Sequence, residues 1–248
     1  MKKIWWIIIG AILVCVVLIS GFFVRHNYKN RQTTTNQSSS STNSTSIPTT
    51  PTQTPSVPTV PTPNLVANPA PTLVYPISNF SSRATTNLFD TYYPPGGSSS
   101  TDRQVCSNAT YYSGYHTAVD LETTTAEANQ NVPIFAIAAG TVKQVSAVSG
   151  YGGLIVVQYN LGGADYTAYY GHIDLFSVKV KSGENVSVGE TLASLGTVCS
   201  SANGNIRKHL HFGLYKGTSI VVSGYVATKS ELANWADPTA LLENLGAR

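Results

Sequence analysis

Two of the chain's five histidines stand two residues apart in the run KHLHFGL, Lys208 to Leu214. On a β-strand, side chains at i and i+2 share a face, so His209 and His211 converge on one spot while Leu210 and Phe212 fill the other side. Taken alone, the pair fits either the polar face of a half-buried strand or part of a metal or acid–base site. Two more histidines accompany it: His116 in GYHTAVDLE, four residues before Asp120, and His172 in YYGHIDLF. Imidazole and carboxylate are the usual ligands of hydrolytic zinc sites, which use three protein ligands and leave one position open for water. One geometric constraint follows. Residues four apart on a straight strand are about 13 Å apart, too far to share an ion, so the chain must bend between His116 and Asp120. Gly114, just upstream, is the residue that would allow it. The fifth histidine, His26, abuts an apolar run and reads as solvated.

The elements that would carry these residues are short β-rich runs separated by glycine and polar turns. NVPIFAIAAGTVKQV reads as two strands broken at Gly140, and GLIVVQYN and DYTAYYGHIDL as a hairpin around LGGA. VKVKSGENV, ETLASLG and HLHFGLY follow as further strands. Helix signals come only near the end. Thr228 to Glu231, TKSE, fits a capping box, and Asp237 followed by Pro238 fits an N-cap with proline at the first helical position. The fold class expected is mainly antiparallel β.

Three zones are visible along the 248 residues. Residues 1–31 read as a membrane anchor in which residues 4–24, IWWIIIGAILVCVVLISGFFV, carry no charge and would reach roughly 30 Å as a helix, a bilayer core's thickness. The exit SGFFVRH has no small-residue cleavage site of the signal-peptide kind. Lys2 and Lys3 on one side and Arg25, Lys29 and Arg31 on the other leave the orientation open. Residues 32–71 are mostly Ser, Thr, Pro and Asn without a single charge, a composition that predicts a disordered linker spanning roughly 35 Å as a coil. Residues 72–248 are long enough for one well-cored domain. This zone holds ten basic residues against all twelve acids of the chain, which gives no sign of a nucleic-acid surface.

His-x-x-x-Asp at His116 to Asp120, the runs VPIFAIAAGTV, YGGLIVVQY, YYGHIDL and VKSGENVSVGETLASLG, and HLHFGLY together resemble the lysostaphin/LytM-type zinc metalloendopeptidases. They occur in that family's order and approximate spacing over roughly residues 112–240. The resemblance implies a sandwich-like peptidase domain of the duplicated hybrid motif type, one Zn2+ ion on His116, Asp120 and His211, and catalytic roles for His172 and His209. It also implies peptidoglycan cross-link peptides as substrate, and hence a single-pass cell-membrane protein with a cytoplasmic N-terminus and an extracytoplasmic peptidase domain. Protein partners are not implied. The sequence departs from the family pattern at Ala118, where glycine is usual, and in the length of residues 91–115.

The ligand set would lower the pKa of a bound water towards about 7 and polarise a peptide carbonyl. Either His209 or His172 would take the water proton, the other stabilising the oxyanion. Tyr111, Tyr112, Tyr115, Tyr151, Tyr169 and Tyr170 flank these motifs and could line a peptide groove. Cys106 and Cys199 each stand ten residues before a site histidine, and outside the membrane they form the one pairing available for a disulfide. A catalytically silent wall-binding or amidase-activating module on the same fold is the alternative to an enzyme. Such a module is expected to lack ligands, and none is missing here.

Overall fold

The computed structural model describes residues 72–95, 104–107, 109 and 111–248. The predicted span at residues 4–24 and the linker at 32–71 lie outside the described residues. Among those described, no helix is long and apolar enough to cross a membrane.

The strands bearing His172, His209 and His211 lie in one antiparallel sheet, and the strand bearing His116 in a smaller one beside it. β1 is Tyr92–Tyr93, β2 Gly114–His116, β3 Ala118–Glu122, β4 Pro133–Phe135, β5 Gly140–Val148 and β6 Gly152–Leu161. They are followed by β7 Ala164–Ile173, β8 Asn185–Val186, β9 Thr191–Ser194, β10 His209–Lys216, β11 Tyr225–Val226 and β12 Trp235–Ala236. The main sheet runs β12-β10-β7-β6-β5-β8, with β3 also on β10; β1-β2-β11 and β4-β9 form smaller sheets. The fold is mainly antiparallel β, as the short alternating runs predict. The central hairpin forms around Gly162 and Gly163, whose φ values of 60° and 86° suit the two-residue turn that matches strand twist.

Both faces of the main sheet are covered, which is why β6 is apolar almost throughout. On one face Leu210, Phe212, Tyr170, Ile155 and Val157 pack with Ile77, Phe80, Ile134 and Leu192 into the larger core. On the other, Tyr151, Leu154, Val156 and Tyr169 meet Leu232 and Trp235. The two predicted helix starts both form. α1, Lys229–Leu232, carries the Thr228–Glu231 capping box, and α2, Pro238–Asn244, has Asp237 accepting from the amides of Thr239 and Ala240. The run VKVKSGENV departs from expectation. Only Asn185–Val186 pairs as a strand, and Lys179 makes a single backbone bond to Leu192. The Lys181–Glu184 turn, closed by Glu184 Oε2 on the Lys181 amide, interrupts the rest.

Cys106 and Cys199 are bonded, closing a sequence separation of 93 residues. In the chain-entropy model a loop of that size is worth about 4 to 5 kcal/mol.

Candidate metal centre and active-site cleft

β3 and β10 pair in a register that sets His211 opposite Asp120 and His209 opposite Glu122. With period-two alternation, Asp120 and Glu122 face the same side as His209 and His211, while Leu121, Leu210 and Phe212 enter the core. His116 reaches the same spot from β2. The bend that brings it there lies at Thr117, between β2 and β3, and not at Gly114 as expected. The Thr117 amide donates to Gly224 O and its hydroxyl to Ser223 O, so both donors stay paired across the break in the ladder. Gly114 serves a different purpose: at φ 109° it lies where a Cβ would meet Val226 O at 2.4 Å.

Among the described residues, His116, Asp120 and His211 form one group able to hold a metal ion. His116 Nε2 lies 3.2 Å from His211 Nδ1 and 3.3 Å from Asp120 Oδ1, and His211 Nδ1 lies 3.1 Å from Asp120 Oδ1. Ligands about 2.0–2.1 Å from a tetrahedral zinc stand roughly 3.3 Å from one another, so the triangle fits. The lone pairs fit as well. His116 Nδ1 is 3.2 Å from Leu88 O, and because a carbonyl only accepts, the proton sits on Nδ1 and Nε2 is bare. Asp120 Oδ2 accepts from Asn87 Nδ2 at 2.7 Å and from the Arg207 guanidinium at 2.8 Å, which leaves Oδ1 for the centre. His211 Nε2 is 3.4 Å from the Tyr151 hydroxyl, the partner that would hold its proton away from Nδ1. Burial works to raise the Asp120 pKa, but its contacts with His116 and His209 outweigh it and hold the carboxyl well below its usual range. Burial lowers the His211 imidazole to about 4, against the pull of Asp120.

His172 arrives by a different device. By alternation along β7 its side chain would follow Tyr170 into the core. The ladder with β6 instead shifts register at Gly153/Leu154, and His172 takes a left-handed φ of 64°. Such a bulge re-aims a side chain. The ring lies 4.5 Å from that of His209 and 5.9 Å from that of His211. Gly171 leaves the space this requires, since a Cβ there would meet the Tyr151 ring at 2.6 Å. His172 Nδ1 donates to Tyr151 O and Asn203 O at 3.0 and 2.9 Å, and His209 Nδ1 donates to Arg207 O at 3.0 Å. His209 Nε2 faces Asp120 Oδ2 at 3.4 Å. Burial, then the neighbouring His209 and His211, hold His172 well below the ordinary histidine value of 6.5, against the pull of Asp120.

A cleft of about 240 Å³ opens over this cluster, lined by Asp120, His172, His209 and His211 with Tyr111 and Tyr225 on its wall. Of the tyrosines expected to line a groove, Tyr111, Tyr112 and Tyr151 border the cleft. Tyr169 and Tyr170 do not: both are wholly buried on β7 and pack in the two cores. Tyr115 packs against Tyr92 at a tilt, under Lys229, instead.

Residues 114–222 match the model of Peptidase family M23, a stretch that contains all five of these site residues. Over that stretch the chain is similar to the M23 peptidases. It is also similar to three solved structures. A zinc-containing peptidase from Vibrio cholerae is 21% identical, with 59% of this chain and 37% of that one covered and a TM-score of 0.41. LytU is 22% identical, covering 65% and 86% with a TM-score of 0.42. Lysostaphin is 19% identical, covering 72% and 57% with a TM-score of 0.46. The chain thus spans little more than a third of the Vibrio protein and over half of lysostaphin. A search of curated proteins finds no match.

Asn87 and Leu88, which brace two of the three ligand residues through their other polar atoms, precede the M23 match and were missed in the sequence. Nothing in their spacing points to Asp120 or His116. Arg207 carried a readable signal, because an extended chain at i, i+2 and i+4 would set it on the face of His209 and His211, although the strand itself begins only at His209. Replacing Asn87 by Ala removes one of the two donors on Asp120 Oδ2. Outer-shell losses of this kind are worth about 10- to 100-fold in metal affinity, and competition with a chromophoric chelator is expected to read a loss in that range.

Proposed function

We propose that the chain is a membrane-anchored zinc metalloendopeptidase that hydrolyses peptide cross-links of cell-wall peptidoglycan. The observation that carries this reading is the convergence of His116 Nε2, Asp120 Oδ1 and His211 Nδ1 in a triangle of 3.1–3.3 Å edges, beside a cleft holding two further histidines. His116, Asp120 and His211 would hold one zinc ion. Bound there, zinc supplies a Lewis acid that polarises the scissile carbonyl and makes water a nucleophile near neutral pH.

The chain's own residues divide the remaining work. His172 keeps its proton on Nδ1, bonded to two carbonyls, and presents a bare Nε2 that takes the proton of the attacking water. Burial keeps it unprotonated at neutral pH. His209 starts with a bare Nε2; it receives that proton from His172, whose ring centre is 4.5 Å away, and delivers it to the amine nitrogen as the C–N bond breaks, so that both rings end the turnover as they began. The wall of Tyr111, Tyr112 and Tyr225, the last two stacked on each other, offers aromatic surface to an extended peptide. The expected topology is a single pass with a cytoplasmic N-terminus, residues 32–71 serving as a tether that lets the domain reach into the wall.

Digestion of purified walls of several cross-link types, followed by mass analysis of the released muropeptides, tests this. Cleaved cross-links that disappear with chelator and return with zinc are expected. Intact walls under every condition would indicate the silent module.

A further inference from the structure

Resting on the reading above, we infer that Asn203 and Arg207 are positioning residues: the loop they close, residues 199–207, fixes the catalytic histidines with the proton on Nδ1 and a bare Nε2 toward the cleft. His172 Nδ1 is 2.9 Å from Asn203 O, and His209 Nδ1 is 3.0 Å from Arg207 O. Main-chain carbonyls cannot donate, so each contact selects one tautomer. Both acceptors come from the same nine-residue stretch.

The loop is held from within and at both ends. Asn203 is wholly buried. Its Nδ2 donates to Ile206 O at 2.7 Å and to Arg207 O at 3.3 Å, and its Oδ1 accepts from the Ile206 amide at 3.3 Å. The Asn203 amide group therefore touches the very carbonyl that receives the His209 proton. One end of the loop is bonded to Cys106 through Cys199. At the other, the Arg207 guanidinium joins Asp120 Oδ2 at 2.8 Å and Glu122 Oε1 at 2.9 Å. Arg207 thus links the metal-binding carboxylate, through its side chain, to His209, through its carbonyl. Neither residue borders the cleft, so both act through the histidines and not on substrate.

The two histidines do not depend on the loop equally. His172 has Tyr151 O as a second acceptor at 3.0 Å, whereas Arg207 O is the acceptor for His209. Disturbing Asn203 is therefore expected to release His209 and spare His172.

Nitrogen-15 spectra of histidine-labelled, zinc-loaded full-length protein read the tautomers directly. In the wild type both His172 and His209 are expected as Nδ1–H. In Asn203→Ala, His209 is expected to become a mixture while His172 stays as it was. Zinc content and KM hold, and kcat on a cleaved cross-link peptide falls about tenfold or more, part of the 10²–10⁴ that acid–base catalysis supplies. A wild-type His209 protonated on Nε2 alone overturns the inference, and so does an Asn203→Ala protein with unchanged His209 tautomer and kcat. Should that variant not fold, the wild-type spectrum still decides. A wild type that takes up no zinc overturns the metal reading instead, and the tautomers in the same spectra then decide the positioning claim separately.

Discussion

Replacing His116 by Ala is expected to empty the metal centre and reduce wall hydrolysis to background. His116 contributes one corner of a three-ligand triangle, and two remaining ligands do not make a zinc site of useful affinity. The ring is wholly buried, fixed by Leu88 O and packed 4.9 Å from Tyr225 and 5.0 Å from His211, so no neighbouring side chain can take its place without rebuilding β2. The Lewis-acid contribution lost is several kcal/mol, or about three decades or more in rate. Atomic emission on the purified variant should find less than a tenth of the wild-type zinc. Melting of both proteins in chelator separates the lost ligand from lost packing: near-equal midpoints mean the fold survived. Full zinc content in the variant would remove His116 from the ligand set.

Replacing His172 by Ala is expected to do the opposite, leaving zinc in place while kcat falls by about 10²–10⁴. The side chain enters the cleft from its own bulge and bonds only main-chain carbonyls, so the three ligand atoms keep their supports. Its pH behaviour follows from the same burial. A general base works when unprotonated, and His172 is held well below 6.5 first by desolvation and then by the neighbouring His209 and His211. Activity is therefore present at and above the ordinary histidine value and is lost only as the pH falls through the lowered one. A kcat/KM profile in the wild type should stay level from pH 7.5 to 6.5 and fall below that. An acid limb centred at 6.5 or higher would contradict the assignment, as would loss of zinc from His172→Ala.

How much of this could be read in the residues depends on the range of the interaction. The face shared by His209 and His211 follows from strand alternation, and the register of β3 on β10 then turns two motifs ninety residues apart into one cluster. Local chemistry was equally legible at Gly162–Gly163, at the Thr228–Glu231 capping box and at Asp237–Pro238. The bend between His116 and Asp120 was required by distance, but its place at Thr117 depends on Ser223 and Gly224, a hundred residues on. His172 was legible as a site residue and not as a bulge. Left-handed backbone at a non-glycine residue is set by packing, here the Tyr151 ring over Gly171. The tyrosines misled in part because the same residue type suits a groove wall and a half-buried strand. Tyr169 and Tyr170 went to the cores. Tyr151 went beneath the site, where its hydroxyl meets His211 and its carbonyl meets His172.

The central claim is that His116, Asp120 and His211 hold one divalent ion and leave its remaining position to solvent in the cleft. X-ray absorption at the zinc edge on the full-length protein, with metal content measured on the same sample, tests it most directly. One zinc per chain, with outer scattering from two imidazoles and a first shell completed by oxygen, is the result predicted. A protein that retains no zinc, or a shell closed by a third imidazole or by sulfur, would contradict it.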